Sequence, residues 1–119
     1  MIGRHANALG DYNEAIRLQP KYALAFQNKA WLLATCPDDT IRDGRQAVVA
    51  ANKACQLRQW KEPSDLRALS AAYAEAGDFG NAVKWQRKVV QATQGDQQKL
   101  EREVLGLYEA GKPYREGSE

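Results

Sequence analysis

One histidine, His5, and two cysteines, Cys36 and Cys55, are all that the chain has of the nitrogen and sulfur ligands usual for zinc. It holds no CxxC pair and no Cys/His cluster, so a structural zinc site lacks its ligands within the sequence. His5 has no Ser or Cys nucleophile beside it in a recognisable motif. A phosphate-cradling loop is missing too. Gly77 and Gly80 flank a helix start without the Gly-Lys-Ser/Thr that would follow in such a loop. No apolar stretch approaches the ~20 residues that span a bilayer. The opening residues, MIGRHANALG, lack the apolar core of a signal peptide. Proline is scarce, and no segment alternates apolar with polar residues as a half-buried strand does. These absences set the expectation of an all-helical, cytoplasmic chain that is not an enzyme and carries no cofactor or metal.

What is present is ordinary for a globular protein: 44% hydrophobic and 27% charged residues, with alanine abundant. The 17 basic and 15 acidic residues leave a net charge of +2. That gives little general attraction to nucleic acid or to an anionic membrane. Lys84, Arg87 and Lys88 cluster along one segment, and Lys53 and Arg58 along another. Interspersed glutamates make them a solvated outer face, and neither nucleic acid nor membrane is expected as a partner.

The clearest pattern lies between Leu66 and Ala92. Leu66, Leu69, Tyr73 and Ala76 fall on one helical face. Gly77-Asp78 then supplies a C-cap residue followed by an N-cap residue. Ala82, Val83, Val89 and Val90 form a second apolar stripe, with Trp85 beside it. Two helices joined by so short a turn are antiparallel neighbours. The landmarks recur. Gly77 and Gly111, Leu66 and Leu100, and Tyr73 and Leu107 are each 34 residues apart. Ala47 stands 35 residues before Ala82, and Ala8 stands 39 before Ala47. The period is ~34 with two insertions. The larger, about five residues, falls in TCPDDTIRDGR. The smaller, about one residue, falls near Trp60–Pro63.

Leu66-x2-Leu69-Ser70-x2-Tyr73, followed by Gly77-Asp78-Phe79 and Ala82, resembles the tetratricopeptide repeat. DYNEAIRLQP resembles the close of one such repeat. WLLATCPDDTIRDGRQAVVAANKAC resembles a variant with a lengthened turn, found in large bacterial multi-domain proteins. GKPYRE resembles the way such arrays finish. The chain departs from the family at Lys29 and Glu103, where Leu is usual. Ser70 replaces a small Gly or Ala, and Gln86 stands where an aromatic is common. The resemblance implies a right-handed superhelical stack of antiparallel helix pairs, an α-solenoid of about six helices.

The phase predicts helices over Arg4–Leu18, Ala23–Thr35, Gly44–Arg58, Ser64–Ala76, Phe79–Thr93 and Gln97–Ala110. Asp43, Ser64, Asp78 and Asp96 are the expected N-caps. Residues 1–22 are read as the second helix of a truncated repeat, 23–60 as a repeat with its insertion at 36–43, and 61–95 as a repeat. Residues 96–111 are read as a capping helix and 112–119 as a tail. The phase places Cys36 and Cys55 ~15 Å apart along antiparallel helices, too far for a disulfide. Two free thiols are expected, with Cys55 at least partly buried.

In the resembled family the first helix of each repeat lines a concave face. By position that face would hold Gln27, Trp31, Ala34 and Thr35, then Arg67, Ala71, Ala74 and Glu75, then Glu101, Leu105 and Tyr108. Trp, Tyr and Arg are frequent anchors of binding hot spots, so a protein or peptide partner is expected there. Trp31 and Tyr108 have the alternative of packing between repeats. Some members of the family grip a terminal carboxylate with a Lys, Asn and Arg cluster, and Gln27, Trp31, Arg67 and Ala68 do not meet that pattern. Asp38, Asp39 and Asp43 are read as caps and turn residues rather than a cation site, with Arg42 and Arg45 among them. The insertion around them is a candidate specificity loop. The rival function is a spacer or self-association segment of a larger protein, with weak homo-oligomers through open ends.

The phase itself is testable at Ala82, where it demands close helix contact. Ala82→Phe should overpack that contact and cost ~1–3 kcal/mol. An unchanged thermal midpoint would refute the assigned phase.

Overall fold

A computed structural model describes residues 2–116. They form six α-helices: α1 (Ile2–Leu18), α2 (Ala23–Thr35), α3 (Gly44–Leu57), α4 (Pro63–Glu75), α5 (Phe79–Gln91) and α6 (Gly95–Glu109). No strand occurs among the described residues. All six expected helices are present, and each expected end lies within two residues of the observed one.

Two of the four expected caps act as such. Asp43 accepts the Gln46 amide at 3.0 Å, and Asp78 accepts the Asn81 amide at 3.2 Å. Ser64 and Asp96 do not cap, because both lie inside their helices. Pro63 opens α4 one residue earlier, with φ already helical and no N–H to satisfy. The Ser64 hydroxyl instead accepts Gln27 Nε2 at 2.8 Å. Asp96 sits in the first turn of α6, where its charge suits the helix dipole.

Three helices end in the same way. After α4, Asp78 N–H donates to Tyr73 O at 2.8 Å and Gly77 N–H to Ala74 O at 3.0 Å. After α6, Lys112 donates to Leu107 O and Gly111 to Tyr108 O. Gly77 and Gly111 have φ of 86° and 73°, the left-handed geometry this closing turn requires. After α3 the position falls to Gln59, φ 61°, followed by Trp60 at φ 64°. Left-handed geometry costs each of them ~1–2 kcal/mol. Trp60 N–H still reaches Cys55 O at 2.8 Å, and its ring stacks on Trp85 at 5.3 Å.

Each helix packs on its neighbours in sequence, and α2 also packs on α4. In the α4–α5 pair, Ser70 faces Gln86 across the short turn, an antiparallel arrangement. Alanine dominates the contacts: Ala30, Ala34, Ala47, Ala51, Ala68, Ala71, Ala72 and Ala82 are all buried. Small side chains let helix axes approach closely. Leu33, Leu69 and Val89 fill what remains. Both cysteines are free and buried. Burial, with the Asp65 carboxylate adding to it, pushes the Cys55 thiol up to about 12.

The segment between α2 and α3 is bound down. Asp43 N–H donates to Leu33 O at 2.8 Å, and Arg42 Nη1 donates to Cys36 O at 2.7 Å. Asp38 accepts from the Thr40 amide and hydroxyl, and Ile41 packs on the core. Pro37, Asp39 and Thr40 stay exposed at its tip. Its far end delivers Gly44 onto the end of α4, where a Cβ would lie 2.5 Å from Ala76 N.

Gly44→Ala should therefore push α3 off α4 and destabilise the fold by ~1–3 kcal/mol. Urea unfolding of this variant checks the contact, and a midpoint equal to wild type would contradict it.

Candidate functional site

Helix α2 packs on α4, and residues of α2, α4 and α6 line adjoining clefts on one side of the molecule. Gln27 on α2 donates to both Ser64 and Asp65 on α4, at 2.8 Å each. Arg67 on α4 donates to Glu101 on α6 at 2.7 Å. A small polar cleft of about 180 Å³ lies between α2 and α4 and includes Gln27, Asn28, Ser64 and Ala68. An apolar groove of about 430 Å³ continues from it along α6. Trp31 and Arg67 border both. Leu100, Val104, Leu107 and Tyr114 give the groove its apolar wall.

Beneath the face lies a buried polar knot. Glu101 is 3% exposed. Its carboxylate accepts Arg67 Nε, Gln86 Nε2 and Gln97 Nε2. Gln86 also donates to the Glu101 carbonyl at 2.9 Å, and the Ser70 hydroxyl donates to Gln86 Oε1 at 2.8 Å. A second buried carboxylate, Asp65, receives Arg58 through two bonds of 3.0 and 2.7 Å. Charges this deep are tolerated because each oxygen has donors.

The tail after α6 folds back across the face. Tyr114 packs near Trp31, with ring centroids 5.7 Å apart. Burial raises the Tyr114 hydroxyl above the usual tyrosine range. Glu116 accepts the Trp31 indole N–H at 2.8 Å. The Glu116 amide donates to Thr35 O at 2.7 Å. Arg115 donates to Glu75 at 3.2 Å, and that carboxylate also lies 3.4 Å from Arg42 Nε.

The nine expected site residues divide accordingly. Gln27, Trp31, Arg67 and Glu75 reach the face half-buried, and each already has a partner within the chain. Thr35, Ala71, Glu101 and Tyr108 are buried, which for Tyr108 is the packing alternative. Thr35 turns its hydroxyl back to Trp31 O. Ala71 lies in the core, and Ala34 and Ala74 are buried as well. Tyr108 borders the groove but is 2% exposed, packed with Ala74 and Ala82. Leu105 is half-buried and does not border the groove. Tyr114, Arg115 and Glu116 were not among the expected residues.

No known family model matches the chain, and no curated protein is significantly similar to it.

The knot yields a coupling test. Gln86→Leu should cost ~2–4 kcal/mol, because it strips donors from a buried carboxylate. Adding Glu101→Leu removes that carboxylate and frees Arg67 for solvent. The double variant should recover at least ~1 kcal/mol against the sum of the single effects. Strict additivity in urea unfolding would dismiss the knot as a unit.

Proposed function

We propose that the chain is a tetratricopeptide-like superhelical stack, a non-catalytic scaffold that binds an extended peptide or protein segment on the concave face of α2, α4 and α6. The observation that carries this reading is the tail itself, since a peptide segment already lies across that face. It uses ring packing, an ion pair and a main-chain hydrogen bond, the means by which extended peptides are recognised. The 34-residue spacing of Leu66/Leu100, Tyr73/Leu107 and Gly77/Gly111 supports the repeat. The contact of α2 with α4, across the intervening α3, supports the stacking.

A spacer or self-association role is the second reading. It rests on Leu100 and Leu107, 55% and 36% exposed along α6, where an apolar stripe stands uncovered.

A random-peptide library displayed on phage and selected against the full chain tests the first reading. It should yield binders that lose at least ~10-fold in affinity, or ~1.4 kcal/mol, on Trp31→Ala. Binders unaffected by Trp31→Ala would move the site elsewhere. Should no binder emerge, and sedimentation show a dimer abolished by Leu100→Glu/Leu107→Glu, the self-association reading prevails.

A further inference from the structure

The tail does more than lie on the face; its contacts specify what the face takes. Three consecutive residues, Tyr114, Arg115 and Glu116, each meet a different feature. Pro113 fixes φ and helps to hold the segment extended. Tyr114 sets its ring against Trp31 and the second core cluster around Tyr108 and Val104. Arg115 brings a guanidinium to Glu75. Glu116 gives a carboxylate to the Trp31 indole N–H and a main-chain amide to Thr35 O. The acceptors on the face are thus a carboxylate and a carbonyl, and the donor is one indole. Apolar surface lies between them, continuing into the groove past Leu100 and Val104.

Resting on the binding role proposed above, we infer that the face is a receptor for an extended segment of aromatic–arginine–acidic chemistry, and that residues 113–116 fill it in cis. A partner segment of the same chemistry must displace the chain's own. The cost of displacement follows from tethering. A short linker such as Gly111-Lys112 holds a segment at an effective concentration on the order of 1 mM. A segment whose intrinsic Kd is ~100 µM is then bound in cis ~90% of the time, and a competitor sees its affinity reduced ~10-fold.

The test uses the full chain and the blocked peptide acetyl-GKPYRE-amide as probe. Tyr114→Ala/Arg115→Ala should release the tail and bind the probe at least ~10-fold tighter than wild type. In ¹H–¹⁵N spectra the indole N–H resonance of Trp31, assigned through Trp31→Phe, should move in the released variant and return toward its wild-type position as probe is added. Arg115→Glu, which sets a second carboxylate against Glu75, gives an independent release should Tyr114→Ala fail to fold. Equal probe affinity for wild type and a folded released variant would overturn the inference, as would no binding at millimolar probe. Peptides selected from the library separate the two failures. If they bind the Trp31 face while the probe does not, the tail is merely packing and the receptor reading stands. If neither binds, both fall.

Discussion

Close approach of helices through alanine is the constraint on which the rest depends. Ala30, Ala34, Ala47, Ala51, Ala68 and Ala72 stand where neighbouring helices meet. Methyl groups there bring backbones near enough for contacts that larger residues would block. Gly44 takes this to its limit at the end of α4, where no Cβ fits. The same economy has a cost. Alanine buries little apolar surface, so each contact contributes less than a leucine would. Specificity must come from elsewhere.

It comes from buried polar groups placed between the small residues. Glu101 and Gln86 join α6 to α5, and Arg67 and Ser70 tie both to α4. Asp65 joins α4 to Arg58 at the end of α3 and to Gln27 on α2. These two carboxylates therefore connect five of the six helices through directional bonds. A sliding misalignment that an alanine surface alone would tolerate leaves a buried charge without donors. The departures from the resembled family at Ser70 and Gln86 belong together, because Ser70, Gln86 and Glu101 satisfy one another.

The helices were legible because their signals are local and periodic: apolar stripes, and Gly-Asp at a turn. At Ser64 a local signal was overruled by another, for Pro63 starts the helix one residue ahead of it. The surface was less legible. Helical phase indicates which residues share a stripe, but it does not indicate how far that stripe rotates into a neighbour. Thr35, Ala71, Glu101 and Tyr108 were on the expected helices and turned inward. The tail was legible as a tail, but its docking onto α2 was not. A contact between Trp31 and Glu116 spans 85 positions and leaves no periodic trace in the sequence.

That span changes how the molecule holds together. The other helices pack chiefly on those beside them in sequence, an arrangement of low contact order in which the ends fray independently of the middle. Beyond the α2–α4 contact, the tail makes the longest link, for it ties the region after α6 to α2. Loss of α6 then requires loss of the bonds at Trp31, Thr35 and Glu75 as well. A chain of short-range neighbours becomes a closed circuit, and its last helix shares in the cooperativity of its second.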